Sequence, residues 1–467
     1  MYYISTRGQA ERLGFADVLL EGLAPDGGLY VPESWPSFTA AEIAGFAGMS
    51  YAEVATEVIS RFTGDDIPRD VFAGMCEDAY ASFSHRVVVP LSQTTGEDWI
   101  LELFHGPTLA FKDVAMQLLG RLFDHVLAER GERLTIVGAT SGDTGGAAIE
   151  ALKGSANVDV FILHPHGRIS EVQRRLMTCV EEENIHNIAI EGSFDDCQAM
   201  VKEMFADKPF REEMRLGAIN SINWARIVAQ SVYYFTSAVA LGGPGRALSY
   251  CVPTGNFGDI FAAYVARQMG LPIETLCIAT NENDILARTL AEGAYEPRGV
   301  AQTISPSMDI QVSSNFERLL FEASGRDAEA VRAMMANLKQ AGRFDVAGGI
   351  LETIRALFIA ERSTETETAA MIREVFETTG AVIDPHTAVG LVATGKARHG
   401  GRLSGPVVTL ATAHAAKFPD AVKQACGIYP DLPKQLSDLY QRTEKLTVLP
   451  LDQQQVQRFV ASFVRKD

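Results

Sequence analysis

A single lysine, Lys112, stands in the stretch HGPTLAFKDVA at residues 105–115, where an apolar helical pattern begins. Ala115, Met116 and Leu119 follow at helical spacing, so the amine is predicted to lie at the edge of a buried stripe. Such a lysine can extend its ammonium group into water. It can also stay partly desolvated with a lowered pKa, and a neutral amine reacts with an aldehyde to form a Schiff base. This segment by itself leaves both roles open.

A glycine-rich turn, GATSGDTGG at residues 138–146, lies between a strand pattern and a helix pattern. Small residues let backbone N–H groups approach a ligand, and the N-terminus of a helix favours an anion. The turn is not a nucleotide-binding P-loop, because no Gly-Lys-Ser/Thr sequence follows it. A tight turn closed by a serine or aspartate cap is the structural alternative.

A second turn of the same kind, PTGNFGD at residues 253–259, also joins a strand pattern to a helix pattern. Gly255 and Gly258 permit positive φ angles, so the stretch can form a nest of N–H groups for a phosphate. One such turn is equally well explained as simple chain reversal. Two of them in one chain favour a phosphorylated ligand.

A third segment, TLATAHAAKFPD at residues 409–420, follows an apolar strand and offers Thr412, His414 and Lys417. In open α/β sheets, ligands bind beyond the carboxyl ends of the strands, so these side chains are placed where a ligand would lie. A Schiff-base lysine, a phosphate nest and a strand-end hydroxyl match the aldehyde, the phosphate and the pyridine nitrogen of pyridoxal phosphate. The residues together therefore predict a pyridoxal-phosphate site.

These motifs need a scaffold, and from about residue 97 short apolar runs alternate with amphipathic helix patterns. The apolar runs are WILELF, LTIVG, VDVFILHP, HNIAIEG, LSYCVPTG, ETLCIATN and PVVTLATA. This alternation predicts parallel strands covered by helices on both faces. Residues 1–95 are predicted to form a mainly helical N-terminal domain, and residues 96–425 the catalytic region. Residues 426–467 are predicted to be a polar helical extension on the outside.

The bulk composition excludes several classes of function. The chain has 467 residues, 47% of them hydrophobic, which predicts two or three domains with a sizeable core. A net charge of −18 argues against a nucleic-acid partner. The six cysteines form no CxxC pair, so neither a disulfide framework nor a metal site is expected. The longest apolar stretch, residues 227–241, is interrupted by polar residues, so we expect a buried helix there and not a membrane span. The first fifteen residues carry early charges and no apolar core, so we expect no secretory signal. We therefore expect a cytoplasmic protein without a membrane partner.

Four motifs in the same order are similar to those of the threonine synthase family, in the longer form found in many bacteria and fungi. They are HGPTLAFKD, ATSGDTGGAA, VPTGNFGDI and TAHAAKFPDAV. ISTRG and LAPDGGLYVP near the N-terminus resemble the same family, so the resemblance runs from residue 4 to about residue 425. Ala415 departs from the proline that is more usual before AKF, a small change in backbone stiffness.

The resemblance implies a fold of the tryptophan-synthase-β-like type, which is fold type II of the pyridoxal-phosphate enzymes. Such a fold has two open, twisted α/β lobes with the cofactor between them, here joined to the mainly helical N-terminal domain. The smaller lobe would span residues 113–225. The larger lobe would combine residues 96–112 with residues 226–425.

The resemblance also assigns roles to individual residues. Lys112 would hold the aldehyde of pyridoxal 5'-phosphate as a Schiff base and then serve as the catalytic base, while Thr412 would face the pyridine nitrogen. The phosphate cup of the cofactor would be formed by Gly255, Asn256, Phe257, Gly258 and Asp259. The substrate would be contacted by Thr140, Ser141, Gly142, Asp143 and Thr144, with Asn281 and Lys417 directed toward its phosphate.

The implied activity is that of a lyase which converts O-phospho-L-homoserine and water into L-threonine and phosphate, the last step of threonine biosynthesis. One alternative is a phospholyase of the same fold, which releases phosphate and a 2-oxo acid. An alternative of another class is a non-catalytic phosphate-binding protein on a doubly wound sheet. Because no coiled-coil heptads are present, we expect a monomer or a weak homodimer.

Overall fold

The N-terminal segment consists of helices around a two-stranded sheet. The structure is a computed structural model that describes residues 1–140 and 142–465. The elements of this segment are β1 (Tyr3–Ser5), α1 (Phe15–Glu21), β2 (Tyr30–Pro32), α2 (Ala40–Ala44), α3 (Tyr51–Thr63) and α4 (Arg69–Tyr80). Capping boxes start α2 and α3, since Thr39 and Ser50 exchange hydrogen bonds with Glu42 and Glu53. The predicted mainly helical N-terminal domain is confirmed.

Strands and helices alternate from residue 91 to residue 240. The elements are β3 (Leu91–Gln93), β4 (Asp98–Glu102), α5 (Lys112–Arg130), β5 (Leu134–Ala139), α6 (Asp143–Leu152), β6 (Val158–Pro165), α7 (Glu171–Thr178), β7 (Ile185–Ile190), α8 (Phe194–Ala206), α9 (Lys208–Glu213), β8 (Leu216–Gly217) and α10 (Trp224–Ala240). Every residue of β6 is buried, as expected for a central strand with helices on both faces.

The same alternation continues to the C-terminus, with several inserted helices. The elements are β9 (Leu248–Pro253), α11 (Gly258–Gln268), β10 (Ile273–Thr280), α12 (Ile285–Glu292), β11 (Ala294–Tyr295), α13 (Phe316–Ala323), α14 (Ala328–Ala341), β12 (Phe344–Asp345), α15 (Gly348–Arg355), β13 (Phe358–Arg362), α16 (Glu365–Thr379), α17 (Pro385–His399), β14 (Val407–Ala411), α18 (Pro419–Cys426), β15 (Thr447–Leu449) and α19 (Gln453–Phe463). Short 3-10 turns occupy Pro306–Met308, Ala415–Lys417, Lys434–Leu436 and Leu439–Gln441.

The strands assemble into two main sheets. The larger has the order β13-β10-β9-β14-β4-β3, and only its edge pair β3–β4 is antiparallel. The smaller has the order β15-β7-β6-β5-β8 and is parallel throughout. Each apolar run that was predicted as a strand forms one, so the two-lobed α/β architecture is confirmed.

The C-terminal segment is more than the predicted helical extension, because β15 adds a strand to the edge of the smaller sheet beside β7. Val456 and Val460 of α19 then pack into the core of that lobe. A three-residue strand is too short to show a period-two pattern, which is why the sequence did not reveal it. Within the described ranges, no helix combines the length and the apolar character needed to cross a membrane.

Candidate active site

A cavity is lined from both lobes, where the carboxyl ends of β9 and β14 face the start of α5. Several predicted site residues border it, namely Lys112, Thr144, the run 255–259 and Thr412. Three residues that the sequence did not single out also border it, namely Arg226, Ser307 and His386. The structure therefore brings four distant sequence motifs to one place.

Lys112 is held against the end of β14 by backbone hydrogen bonds. The Phe111 N–H donates to the Thr412 carbonyl at 2.8 Å, and the His414 N–H donates to the Leu109 carbonyl at 3.1 Å. Leu109 adopts a positive φ of 60°, which turns the chain sharply before the helix. Lys112 is the first residue of α5, so its side chain points past the helix terminus into the cavity.

The loop before Lys112 is stabilised by hydrogen bonds between its own residues and the start of α5. The N–H and the hydroxyl of Thr108 donate to the two carboxylate oxygens of Asp113 at 2.8 and 2.5 Å. Burial raises the pKa of Asp113 to about 6, although the Thr108 donors act in the opposite direction. Gly106 is required here, because a Cβ at this position would stand 2.4 Å from the Cβ of Asp113.

Asp143 is the anion around which the cationic side chains are arranged. Its Oδ2 accepts hydrogen bonds from Lys112 Nζ at 3.2 Å and from Ser307 Oγ at 3.0 Å. Its Oδ1 forms an ion pair with Lys417 Nζ at 2.6 Å and accepts from Gln173 Nε2 at 3.0 Å. Burial alone would raise the pKa of Asp143, but the two lysines outweigh it and hold this pKa well below its usual value. Asp143 is therefore a fixed negative charge.

The amine of Lys112 has a lowered pKa. Burial is the main cause, and the positive charges of Lys417 and Arg226 lower the pKa further, while Asp143 opposes them. The side chain is only 12% exposed. Lys112 thus occupies the desolvated environment that the sequence offered as one of two alternatives.

The turn after β5 is closed mainly by its own hydrogen bonds. Thr140 Oγ1 accepts from the N–H groups of Gly142 and Gly145 at 3.0 and 2.9 Å, so the Thr140 hydroxyl is occupied within the turn. Gly142 has a φ of 138°, which a residue with a Cβ rarely adopts. Thr144 borders the cavity. Ser141, also predicted to contact the substrate, lies outside the described residues.

The turn after β9 is open toward the cavity. No side chain of residues 1–140 or 142–465 caps the start of helix α11, and Phe257 before it has a φ of 65°. Neighbouring groups fix the carbonyls instead, since Ser313 Oγ donates to the Gly255 carbonyl at 2.6 Å and Asn315 Nδ2 to the Asn256 carbonyl at 2.9 Å. The first N–H groups of α11 can therefore receive an anion.

The side chain of Asp259 points away from this nest. Its Oδ1 accepts hydrogen bonds from the hydroxyls of Tyr233 and Tyr234, the latter at 2.9 Å. Burial raises the pKa of Asp259 to about 6, and the two tyrosine donors partly offset that rise. In the predicted phosphate cup, Asp259 can therefore contribute its backbone N–H rather than its carboxylate.

Two residues predicted to approach the substrate's phosphate are engaged elsewhere. Lys417 is 1% exposed, and its ammonium group binds Asp143 and the Thr108 carbonyl, the latter at 2.8 Å. Asn281 is also buried and donates to Thr303 Oγ1 at 2.8 Å. The structure places Lys417 behind Asp143. It places Asn281 in a separate polar cluster.

His386 is a site residue that sequence reasoning missed. Its Nδ1 lies 2.6 Å from Asp384 Oδ2, and the Ser307 N–H donates to its Nε2 at 3.3 Å. Because Nε2 accepts a hydrogen bond, the ring proton lies on Nδ1. Nδ1 then donates a hydrogen bond to the Asp384 carboxylate. Asp384 also caps α17, and proline follows it at the first position of the helix. The Asp-Pro-His run was therefore the available signal in the sequence, because it marks a helix start with a histidine directly after the proline.

The cavity fits pyridoxal phosphate. Lys112 offers an amine, and the uncapped start of α11 offers N–H donors for a phosphate. A Cβ at Gly255 would stand 2.9 Å from the Ser307 carbonyl oxygen, so only glycine lets these segments approach so closely. The Thr412 hydroxyl makes no hydrogen bond to another residue of the described chain, although Thr412 is only 6% exposed. That free hydroxyl can face a ring nitrogen.

Profiles of three protein families match successive parts of the chain. "Threonine synthase N terminus" matches residues 2–80, "Pyridoxal-phosphate dependent enzyme" matches residues 90–344, and "Threonine synthase, C-terminal" matches residues 387–460. The second match contains Lys112 and both glycine-rich turns. Pyridoxal phosphate is thus the cofactor of the catalytic region.

Relatives with known names match over the whole length. A threonine synthase of Pseudomonas aeruginosa is 54% identical, over 99% of this chain and 98% of that protein. A crystal structure of a threonine synthase from Brucella melitensis with pyridoxal phosphate bound is 59% identical, covers 100% of both chains and has a TM-score of 0.97. The yeast threonine synthase structure is 40% identical, covers 99% of this chain and 98% of that chain, and has a TM-score of 0.94. The chain belongs to the threonine synthase family of pyridoxal-phosphate-dependent lyases.

Proposed function

We propose that the protein converts O-phospho-L-homoserine and water into L-threonine and phosphate, as the last step of threonine biosynthesis. The observation that carries the proposal is the combination, in one cavity, of a desolvated lysine amine and an open nest for a phosphate. Membership of the family supports the same reaction. We further expect a cytoplasmic enzyme that is a monomer or a weak homodimer, with no nucleic-acid or membrane partner.

The chemistry is divided between the cofactor and the chain. When bound, pyridoxal phosphate supplies an aldehyde for the substrate's amine and a ring that disperses negative charge. Lys112 Nζ supplies the base, because burial lowers its pKa and keeps more of the amine neutral near pH 7. With the aldehyde occupied by the substrate's amine, Lys112 Nζ would be free to accept the proton from the substrate Cα.

The remaining steps move protons along the substrate chain. The conversion requires that Cβ lose a proton, that the C–O bond at Cγ break with release of phosphate, and that Cγ gain a proton. It further requires that water give its hydroxyl to Cβ and its remaining proton to the released phosphate, and that a proton return to Cα. A single mobile amine on one face of the substrate can serve several of these transfers, because Lys112 starts a helix and only its side chain has to move.

The surrounding residues hold Lys112 in place. Asp143 fixes the amine from one side and is itself fixed by Lys417 and Ser307. We propose that Thr144 contacts the substrate, because it borders the cavity at the start of α6, and that the backbone of the N-cap residue Gly142 does so as well. Lys417 would act on the substrate through Asp143 rather than by direct contact.

The experiment that tests the function compares Lys112→Ala with the wild-type enzyme. We expect Lys112→Ala to lose the visible absorption of the bound cofactor and to release neither phosphate nor threonine from O-phosphohomoserine. Lys208→Ala is the matched control, because Lys208 is 73% exposed on α9 and should leave both unchanged. Retention of the chromophore and of turnover in Lys112→Ala would refute the role of Lys112.

Product analysis separates the alternatives. Wild-type enzyme should form threonine and phosphate in equal amounts. Formation of 2-oxobutyrate in place of threonine would instead establish a phospholyase that shares the cavity. Absence of both a chromophore and phosphate release would indicate a non-catalytic phosphate-binding protein.

A further inference from the structure

His386 is a buried histidine whose ring is held in one orientation at the wall of the cavity. The residue is 2% exposed and borders the cavity together with Ser307. Its Nδ1 lies 2.6 Å from Oδ2 of the buried Asp384. The N–H groups of His386 and Thr387 donate to the two Asp384 oxygens at 3.0 Å each, so the carboxylate is itself fixed. A carboxylate that orients an imidazole in this way also stabilises the ring when the ring gains a proton.

The second ring nitrogen of His386 is only lightly engaged. Among residues 1–140 and 142–465, Nε2 accepts a hydrogen bond only from the Ser307 N–H, at 3.3 Å, which is long for a hydrogen bond. Because the ring proton lies on Nδ1, Nε2 carries the lone pair that can accept a proton. His386 therefore combines a fixed ring, a carboxylate behind it and a basic nitrogen at the cavity wall, which are the attributes of a general base.

His105 shows a histidine–carboxylate pair in a different setting. Its Nε2 lies 2.7 Å from Glu102 Oε2, and the two side chains are 21% and 24% exposed. All nine histidines lie within the described ranges, and His386 is the one that borders the cavity. Burial and position, rather than the presence of a carboxylate, thus distinguish the pair of His386 and Asp384.

Ser307 connects His386 to the lysine of the cavity. The Ser307 N–H donates to His386 Nε2, and the Ser307 hydroxyl donates to Asp143 Oδ2 at 3.0 Å. The same Asp143 oxygen accepts a hydrogen bond from Lys112 Nζ at 3.2 Å. Two groups that can take up protons, Lys112 and His386, therefore stand at the two ends of one short hydrogen-bonded chain.

The proposed reaction needs a second proton acceptor besides the lysine. A neutral amine takes up one proton at a time, and Lys112 Nζ still holds the proton that returns to Cα when water adds to Cβ. Within the described ranges, the ionisable side chains that border the cavity are Lys112, Arg226, Asp259 and His386. Burial lowers the pKa of Arg226 only to about 10, so Arg226 stays charged near pH 7. The Asp259 carboxylate is held by two tyrosine hydroxyls, which leaves His386.

We propose that Nε2 of His386 is the base that accepts a proton from the water that adds to Cβ. The inference rests on the proposed function, because it concerns the step that makes threonine. As the bond between the water oxygen and Cβ forms, an O–H bond of the water breaks and its proton passes to Nε2. Asp384 stabilises the protonated ring, and the proton then passes to the released phosphate, which returns His386 to its starting form.

His386 thereby determines where the water is used. Formation of threonine and formation of 2-oxobutyrate each consume one water and release one phosphate. In the second case the water oxygen ends on Cα, and ammonia is released as well. A base that activates water for Cβ favours threonine. A variant without this base should still release phosphate, because Lys112 serves the earlier proton transfers, but it should lose threonine.

The first experiment measures the products formed by His386→Gln with the cofactor bound. The glutamine amide can still accept a hydrogen bond from the Ser307 N–H but cannot take up a proton. We expect threonine formation from O-phosphohomoserine to fall about 100-fold, a usual contribution of a general base, and phosphate release to fall much less. Formation of 2-oxobutyrate and ammonia should account for the difference. His105→Gln changes the other histidine–carboxylate pair and is the matched control, in which threonine and phosphate should stay equal.

The second experiment examines the His386 ring in the wild-type apoprotein, so it needs neither substrate nor a folded variant. NMR of protein with ¹⁵N-labelled histidine distinguishes a ring proton on Nδ1 from one on Nε2. His386 should carry its proton on Nδ1, toward Asp384. His105 should show the opposite arrangement, because its Nε2 faces Glu102.

A third measurement tests whether the missing base can be supplied from solution. His386→Ala leaves space where the ring was, and added imidazole should raise the share of threonine among its products. Loss of structure alone would not respond to imidazole in this way. Thermal unfolding of the apo variants shows whether each of them is folded before its products are compared.

The outcomes separate the inference from the proposed function. Equal amounts of threonine and phosphate from His386→Gln, at any rate of turnover, would overturn the inference alone. A proton on Nε2 of His386 in the wild type would overturn it as well, because that nitrogen could then accept nothing. If the wild-type enzyme released phosphate and formed 2-oxobutyrate without threonine, the proposed function itself would fail, and the inference would fail with it.

Discussion

The two glycine-rich turns, residues 138–146 and 253–259, look alike in sequence and do opposite things in the structure. The first contains Asp143, whose carboxylate binds Lys112 and Lys417. That carboxylate places a fixed negative charge at the start of α6. The second ends in Asp259, whose carboxylate turns to Tyr233 and Tyr234 and leaves the start of α11 open. One turn therefore organises cations, and the other is free to receive an anion.

This difference follows from where each acid finds its partners. Both acids lie in the first turn of a helix, where local electrostatics favour them equally. At α6, lysines from α5 and from the segment after β14 reach the acid. At α11, hydrogen bonds from Tyr233 and Tyr234 of α10 hold the Asp259 carboxylate away from the helix terminus. Tertiary contacts thus decide whether a first-turn acid faces the ligand or the core.

The largest effect is expected when the negative charge of Asp143, in the glycine-rich turn at residues 138–146, is removed. Asp143→Asn leaves two buried lysines without their anion, and breaking a buried ion pair costs about 3–5 kcal/mol. We expect the free energy of unfolding in urea to fall by about that amount, and kcat/KM to fall about 100-fold because Lys112 loses its support. Asp195→Asn, an exposed first-turn acid of α8, should change neither value measurably.

The same substitution has a pH signature. Because the folded-state pKa of Asp143 is depressed, its stabilisation is complete above the unfolded value of about 3.9 and is lost as the pH falls toward the folded value. The stability difference between wild type and Asp143→Asn should therefore be constant from pH 5 to 7 and shrink in acid. A difference that grows in acid would mean that Asp143 does not carry the charge.

A smaller effect is expected when the second turn is crowded. At Gly255 a Cβ would meet the Ser307 carbonyl oxygen at 2.9 Å, so Gly255→Ala should displace the nest of N–H donors. We expect the dissociation constant for pyridoxal phosphate to rise about tenfold, the cost of one impaired hydrogen bond to a charged group. Gly348→Ala, which has open space around its Cβ position at the start of α15, is the control for a glycine change alone. An unchanged affinity in Gly255→Ala would show that the nest does not bind the cofactor.

The smallest effect is expected at the acid of the second turn. Tyr234→Phe removes one donor from Asp259, which should raise the Asp259 pKa above its present value of about 6. A carboxyl whose pKa is raised by folding lowers the free energy of unfolding as the pH rises from the unfolded value of about 4 toward the folded value of about 6. The free energy of unfolding of the variant should therefore be about 1 kcal/mol below that of the wild type at pH 8, and the difference should be smaller at pH 5. Urea unfolding at both pH values measures it, with the exposed Tyr2→Phe as control. Equal losses at the two pH values would indicate that the Asp259 carboxylate is not the group affected.

Much of the fold was predictable from the sequence, because its signals are local. Apolar runs of five to eight residues followed by amphipathic helices identified the central strands of both sheets. The short edge strands β3, β8, β13 and β15 were not predicted, since two to five residues carry too little periodicity. Strand β15 pairs with β7 across more than 250 residues of chain, and no local pattern specifies such a pairing.

The candidate site divides in the same way. Lys112, Thr412 and the residues 255–259 were predicted from motifs at strand ends, and the structure places them around one cavity. Arg226 and His386 were not predicted. The Asp-Pro-His run marks a helix start at His386, but neither it nor the sequence around Arg226 indicates that the side chain borders the cavity. Lys417 and Asn281 were predicted beside the substrate and lie behind other side chains, since burial and partner choice depend on the packing of distant segments.

The sequence by itself determined which residue types stand at the ends of which strands, and it therefore indicated the cofactor, the lysine proposed to bind it and the family. Backbone propensity and hydrophobic periodicity act over a few residues, so a linear pattern is enough to express them. Only the tertiary structure decided which charges meet. It paired Asp143 with two lysines, turned Asp259 toward the tyrosines and gave Arg226 no ion-pair partner among residues 1–140 and 142–465. Electrostatic partners are chosen by distance in space, across segments that the sequence keeps far apart.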